Sequence, residues 1–218
     1  MARLLLDRGV VTAPDNVLIT AGAQQGIDLV LRSCVTPEDV ILVEEPTYVG
    51  LLELAALRRQ RIVSIPTDHD GIQLEALEEA CQHYRPRMLY LIPTFNNPTG
   101  SSLAAERREA LLQLARRYNL LIVEDDIYGL LYYDQQAPLP LKTSDSSGQI
   151  IYLFSFSKVL LPALRLCAVV AAPEQMQALA SAKRSSDLLC SPILQHALAH
   201  YLKRHLLQAH IQQLRPLY

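Results

Sequence analysis

Short apolar runs and longer segments of helical period alternate along most of this chain. Runs rich in Val, Ile and Leu occupy residues 17–20, 40–43, 61–65, 88–92, 120–124, 150–154 and 166–171, each of strand length. Between them, 23–34, 48–58, 74–84 and 103–118 repeat apolar residues at helical spacing. The clearest is 103–118, where Leu103, Ala110, Leu111, Leu114, Ala115 and Tyr118 share one face and Glu106, Arg107, Arg108, Arg116 and Arg117 take the others. Strands that alternate with helices predict βα units, so the fold class expected is α/β: a mostly parallel seven-stranded sheet with helices on both faces. Beyond 171 the pattern is helical only, with one helix over 173–185 and another opened by Ser191 as N-cap and Pro192 at its first position. Residues 135–148, rich in Pro, Ser and Asp, read as the main loop. The division expected is a ligand-binding unit over 1–185 and a helical segment over 186–218.

Composition narrows the classes. Half of the 218 residues are hydrophobic and 19% are charged, a globular balance with enough length for a sizeable core. A net charge of −2 supplies no basic field, so no nucleic-acid contact is expected from this segment. No apolar run reaches membrane-spanning length, and the opening Met1-Ala2-Arg3-Leu4-Leu5-Leu6-Asp7 is too short and too soon charged for a signal peptide. The compartment expected is the cytoplasm. Cys34, Cys81, Cys167 and Cys190 show no CxxC spacing and read as reduced thiols in or near the core. His196 and His200 have an i, i+4 spacing that zinc can use, but no carboxylate or cysteine accompanies them, so no metal is expected.

In an open parallel sheet ligands sit beyond the carboxyl ends of the strands, and there this sequence concentrates its chemistry. After 17–20 comes Ala21-Gly22-Ala23-Gln24-Gln25-Gly26, a small-residue turn into a helix whose free N–H groups can hold a phosphate. After 40–43 comes Glu44-Glu45-Pro46-Thr47-Tyr48, which presents an aromatic ring. After 88–92 comes Pro93-Thr94-Phe95-Asn96-Asn97-Pro98-Thr99-Gly100, a rigid turn carrying an amide. After 120–124 come Asp125, Asp126 and Tyr128. After 150–154 comes Ser155-Phe156-Ser157-Lys158, with Arg165 seven residues beyond the lysine. A partly buried lysine beside another cation keeps some neutral amine and can form a Schiff base.

Each group has a plainer reading as well. The glycine turn serves any strand-to-helix step, Asn97-Pro98-Thr99-Gly100 is ordinary turn composition, Glu124-Asp125-Asp126 suits a solvated loop or an oxygen-ligand metal site, and Tyr48 suits a core aromatic. Taken together, at successive strand ends, they are what pyridoxal phosphate requires: an amine, a carboxylate for the ring nitrogen, donors for the ring oxygen, an aromatic face and a phosphate cradle.

The combination resembles the large domain of class I/II pyridoxal-phosphate aminotransferases, the fold-type I family, over about residues 17–173. The resemblance implies that Lys158 of Ser-Phe-Ser-Lys is the Schiff-base lysine and that Asp125, three residues before Tyr128, pairs with the pyridinium nitrogen. It implies that Asn97 and Tyr128 hydrogen-bond the ring oxygen, that Tyr48 stacks on the ring, and that Ala23, Gln24, Ser155, Ser157 and Arg165 hold the phosphate. It also implies amino acid and 2-oxo acid substrates, a role in amino-acid biosynthesis, a homodimer, and closeness to the kynurenine/aminoadipate branch. By the same comparison the chain is short at both ends, lacking the small domain and its substrate-binding arginine. Two further uses of the domain stay open: the effector part of a MocR/GntR-type transcriptional regulator, and a non-catalytic cofactor-binding remnant. Where the family has glycines flanking Leu164-Arg165-Leu166, this chain has Ala163 and Cys167, which predicts local strain if either position needs a positive φ.

Overall fold

The computed structural model describes residues 1–133 and 137–217. Eight strands form one sheet: β1 (Val17–Thr20), β2 (Val40–Glu45), β3 (Arg61–Asp68), β4 (Gly71–Ile72), β5 (Met88–Leu91), β6 (Leu121–Asp125), β7 (Ile150–Ser155) and β8 (Cys167–Val170). Their order is β1-β8-β7-β6-β5-β2-β3-β4. The strands β3, β2, β5, β6 and β7 are mutually parallel, while β8 runs antiparallel to β7 and β1, and β4 antiparallel to β3. The seven expected strands are all present. The eighth, β4, is two residues long and closes a turn against the end of β3, too short to leave a pattern in the sequence.

The helices are α1 (Ala2–Asp7), α2 (Ala23–Cys34), α3 (Val49–Leu57), α4 (Leu74–Tyr84), α5 (Ala105–Arg117), α6 (Pro173–Asp187), α7 (Pro192–Lys203) and α8 (Leu206–Leu214). Alternation along each strand assigns them to faces. Ile41, Val43, Met88, Tyr90, Leu121, Val123, Ile151, Leu153, Cys167 and Val169 pack with α2, α3 and α6. Their neighbours Leu42, Leu89, Leu91 and Ile122 point the other way, onto α4 and α5. On that second face, Tyr152, Phe154 and Val170 meet Leu5 of α1, Leu198 of α7 and Leu207 and Ile211 of α8. Burial on both faces explains why the central strands read as unbroken apolar runs.

Ser191 stands at the N-cap position and Pro192 opens α7, as expected, although the Ser191 hydroxyl makes no capping hydrogen bond. The loop expected over 135–148 begins outside the described residues at 135 and 136, and its remainder contains a 3-10 turn at Leu141–Ser144, capped by Glu124. The short α1 went unforeseen. All four cysteines are free, three buried and Cys34 half-buried. No helix among the described residues is long and apolar enough to cross a membrane.

Candidate active site

The site forms where β1, β2, β5, β6, β7 and β8 deliver their terminal residues. At the end of β6 the pleat separates two adjacent aspartates. Leu121, Val123 and Asp125 face the α2 side, and Asp126 takes the opposite one. Asp126 there accepts hydrogen bonds from Arg8 Nη2 at 2.9 Å and from the Tyr152 hydroxyl at 2.7 Å, both onto Oδ2. Ion-paired and buried, it is tied to α1 and β7. Asp125 is equally buried, but the Tyr90 hydroxyl donates to its Oδ2 at 2.7 Å, and its Oδ1 has no hydrogen-bond partner among the described residues. Burial pushes the Asp125 carboxyl up to about 7; the Tyr90 hydrogen bond opposes this and Asp126 reinforces it. An acceptor oxygen buried without a donor suits a ligand N–H.

At the end of β1, Gly22 (φ 89°) precedes α2, and no side chain caps the first turn of that helix. The N–H groups of Ala23 and Gln24 are therefore available at the positive end of a helix of 12 residues. Arg165, in a left-handed conformation after the 3-10 turn Pro162–Leu164, donates to Ala21 O at 3.3 Å. Its guanidinium lies directly over Gly22: a Cβ there would stand 2.8 Å from Arg165 Cζ. From β7, Ser155 Oγ accepts the Ser157 N–H at 3.2 Å, and the buried Ser157 Oγ has no partner among the described residues. Free helix N–H groups, an unpartnered hydroxyl and a guanidinium make a tetrahedral-anion cradle.

Tyr48, just before α3, joins the two ends of the site. Its hydroxyl donates to Gln24 Oε1 at 3.0 Å, and Gln24 Nε2 in turn donates to Gly50 O at 2.9 Å. Burial raises the Tyr48 phenol, Asp125 and Glu53 raise it further, and Arg165 lowers it, so the ring is within electrostatic reach of both the buried carboxyl and the cradle. Tyr128 is half-buried; burial, then Asp125 and Tyr48, raise its phenol. Asn97 is half-buried and its side chain makes no hydrogen bond to another described residue.

Lys158 departs from expectation. Instead of being partly buried it is exposed, with no hydrogen bond among the described residues and its ammonium 5.9 Å from the Tyr128 ring centroid. Neither Ala163 nor Cys167 has a positive φ, so that condition for strain is not met; the left-handed residue of that segment is Arg165 itself. Cys167 lies within β8, paired with Thr20 and Ser155. His196 and His200 are both exposed on α7. Among the described residues only Asp68, His69 and Asp70 have metal-ligand spacing, and Arg107 already donates to both oxygens of Asp68, at 2.7 and 2.9 Å.

Sequence reasoning overlooked the supports. Tyr90 was one more residue of an apolar run, although a buried tyrosine hydroxyl usually has a hydrogen-bond partner. Glu44 and Asn96 fasten the turn that carries Asn97, and Arg108 donates to Leu103 O, Pro93 O and Leu139 O behind it.

The geometry fits a planar, nitrogen-containing ring that carries a phosphate, and comparison with known proteins agrees. The profile described as aminotransferase class I and II matches residues 1–216. The chain belongs to this aminotransferase family. A 2-aminoadipate transaminase of Thermus thermophilus is 39% identical over 208 residues, 94% of this chain and 52% of its own length. An uncharacterized HTH-type transcriptional regulator of Escherichia coli, YdcR, is 34% identical over 216 residues, 99% of this chain and 46% of its own. Among solved structures, LysN, the α-aminoadipate aminotransferase of Thermus thermophilus complexed with N-(5'-phosphopyridoxyl)-L-leucine, superposes with a TM-score of 0.91 at 37% identity, over 100% of this chain and 56% of that one. The kynurenine aminotransferase of Pyrococcus horikoshii gives 0.90 at 35% identity, over 94% and 52%. The chain thus spans about half the length of these relatives.

Proposed function

We propose that this chain is the cofactor-binding part of a pyridoxal-phosphate-dependent aminotransferase, moving an amino group between an amino acid and a 2-oxo acid. The observation that carries the reading is the Oδ1 of Asp125, buried at a strand end with no hydrogen-bond partner among the described residues, together with the uncapped first turn of α2. Asp125 would hold a proton on the ring nitrogen, Tyr48 would lie against the ring, and Asn97 and Tyr128 would donate to or accept from its oxygen. Ala23, Gln24, Ser155, Ser157 and Arg165 would hold the phosphate. When bound, the cofactor supplies an electron sink for the carbanion formed at an amino acid's α-carbon. Lys158 Nζ would hold the cofactor's aldehyde, with loss of water, until the substrate's amine takes its place; the amine so released would then move the α-proton of the substrate, a task for which its lack of a competing ion pair among the described residues suits it.

The substrate class favoured is that of 2-aminoadipate and kynurenine, from the relatives' identities, and the setting favoured is cytoplasmic amino-acid biosynthesis. A homodimer is part of the same reading. Exposed Leu161, Leu188, Leu189 and Ile193 offer apolar surface for a second copy, and the helices beyond residue 185 would lead toward the substrate-closing part of a longer protein. Matches to transcriptional regulators over 99% of this chain favour a second reading, in which the same site senses rather than turns over an amino-group donor. The deciding experiment adds pyridoxal phosphate to the chain, follows the visible absorbance, and then adds aminoadipate, kynurenine or aromatic amino acids. Conversion of the bound aldehyde to the amine form supports the aminotransferase reading. Cofactor uptake without conversion by any donor favours the sensor, and absence of uptake refutes both.

A further inference from the structure

Tyr90 has little in its surroundings that calls for a tyrosine rather than a phenylalanine. It is fully buried in β5, between Val43 of β2 and Val123 of β6, among apolar side chains. Its register opposite Val123 puts Asp125 two residues further along the same face, a diagonal a tyrosine can span. The one polar contact it makes there is the 2.7 Å hydrogen bond to Asp125 Oδ2.

We propose that Tyr90 is a positioning residue for Asp125: by occupying Oδ2 it fixes the carboxyl plane and leaves Oδ1 as the single acceptor for the cofactor's ring nitrogen. This role rests on the cofactor reading above. The side chains that act on Asp125 are Asp126, the next residue, on the opposite face of the sheet, Tyr48 and Tyr128 from the flanking loops, and Cys167 from β8, while the backbone N–H of Ile127 adds to Tyr90 in favouring the ionised form. None is a cation, so among side chains of the described residues Tyr90 is the one donor that favours the ionised carboxylate. A ligand N–H arriving at Oδ1 then meets an acceptor already oriented and held near its ionisation point. Without the hydroxyl, the carboxyl would keep its proton to higher pH and be free to rotate.

Tyr90→Phe tests this without removing core volume. In the cofactor-free chain, carboxyl-carbon NMR should show the Asp125 midpoint moved upward by about one unit or more, the size expected for losing a hydrogen bond to a charged acceptor. Uptake of pyridoxal phosphate, followed by absorbance, should weaken about tenfold near neutral pH and converge on wild type at alkaline pH, where Asp125 ionises unaided. In the Asp125→Asn background the same substitution should have no further effect. An unmoved midpoint, or an affinity loss uniform across pH, overturns the proposal. If Tyr90→Phe fails to fold, 3-fluorotyrosine at position 90 replaces it: its more acidic hydroxyl must move the midpoint down, and an upward or null shift overturns the proposal. Failure of the wild-type chain to take up pyridoxal phosphate defeats the cofactor reading, while the Asp125 midpoint still decides whether Tyr90 sets the state of that carboxyl.

Discussion

Glu44 Oε2 accepts the side-chain amide of Asn96 at 2.8 Å, fastening the end of β2 to the turn that follows β5. The same oxygen accepts the Ile92 N–H at 2.8 Å, and Asn96 Oδ1 accepts the N–H and hydroxyl of Thr99. Burial pushes the Glu44 carboxyl up to about 7, and the two donors hold it back. A single buried carboxylate thus sets the turn in which Asn97 stands.

Glu44→Ala leaves two buried donors without an acceptor and should destabilise the chain by about 2 to 4 kcal/mol, on the basis of about 1 to 3 for each orphaned group. Glu44→Gln retains an amide oxygen and should cost less than half as much. Urea denaturation of both variants checks this. Equal losses would mean that the carboxylate acts through its charge, not as a shared acceptor.

Borohydride reduction of the pyridoxal-phosphate complex, followed by peptide mapping, should place the label on Lys158. Lys142 is engaged by Asp145 at 2.8 Å and by Ile150 O at 2.7 Å, and Lys183 by Asp187 at 2.7 and 2.8 Å, so neither offers a free amine at a strand end. Label on Lys142, Lys183 or Lys203 would remove Lys158 from its assigned role.

The strand ends were legible because parallel strands buried on both faces leave continuous apolar runs and deposit their polar residues where each run stops. That rule made Asp125, Asp126 and Lys158 candidates, and only the resemblance to the aminotransferases set Asp125 above Asp126 by its spacing to Tyr128. The exposure of Lys158 was not legible, since it depends on what packs over the loop after β7. Tyr90 and Glu44 were hidden for a different reason: their partners lie 35 and 52 residues away, Asp125 and Asn96, and register rather than local sequence brings them together. The condition for strain at Ala163 or Cys167 is not met, because the left-handed φ falls on Arg165, two residues from each.

Asp125→Asn and Asp126→Asn should separate ligand chemistry from stability. The folded pKa of Asp125, about 7, lies above its ordinary 3.8, so the folded state binds more protons than the unfolded one between those values. Stability from this group is therefore greatest below about pH 4 and declines as pH rises toward 7. Asparagine removes that titration, so Asp125→Asn should flatten the pH dependence and be the more stable protein at pH 8, by on the order of a few kcal/mol, while losing amino-transfer chemistry in a version of the protein able to perform it. Asp126→Asn breaks the buried pair with Arg8 and should destabilise by about 3 kcal/mol or more. Thermal unfolding between pH 4 and pH 8 distinguishes them, and a steeper slope for Asp125→Asn than for wild type would reverse the assignment.

Gly22 provides the most selective probe of the cradle. At φ 89° and ψ 169° its backbone suits glycine alone, and a Cβ would press on Arg165 Cζ at 2.8 Å. Gly22→Ala should thus cost about 1 to 3 kcal/mol of stability through backbone strain and displace the guanidinium from the first turn of α2. The second effect is specific: in the proposed site Arg165 and the Ala23 and Gln24 N–H groups would face the phosphate, whereas Asp125, Tyr48 and Lys158 would face the ring. Affinity for pyridoxal phosphate should then fall about tenfold or more, taking a charge-assisted hydrogen bond as about 1.5 to 3 kcal/mol, while affinity for pyridoxal, which has no phosphate, stays near wild type. Equal losses for the two ligands would show that the turn at Gly22 supports the ring and that the anion is held elsewhere.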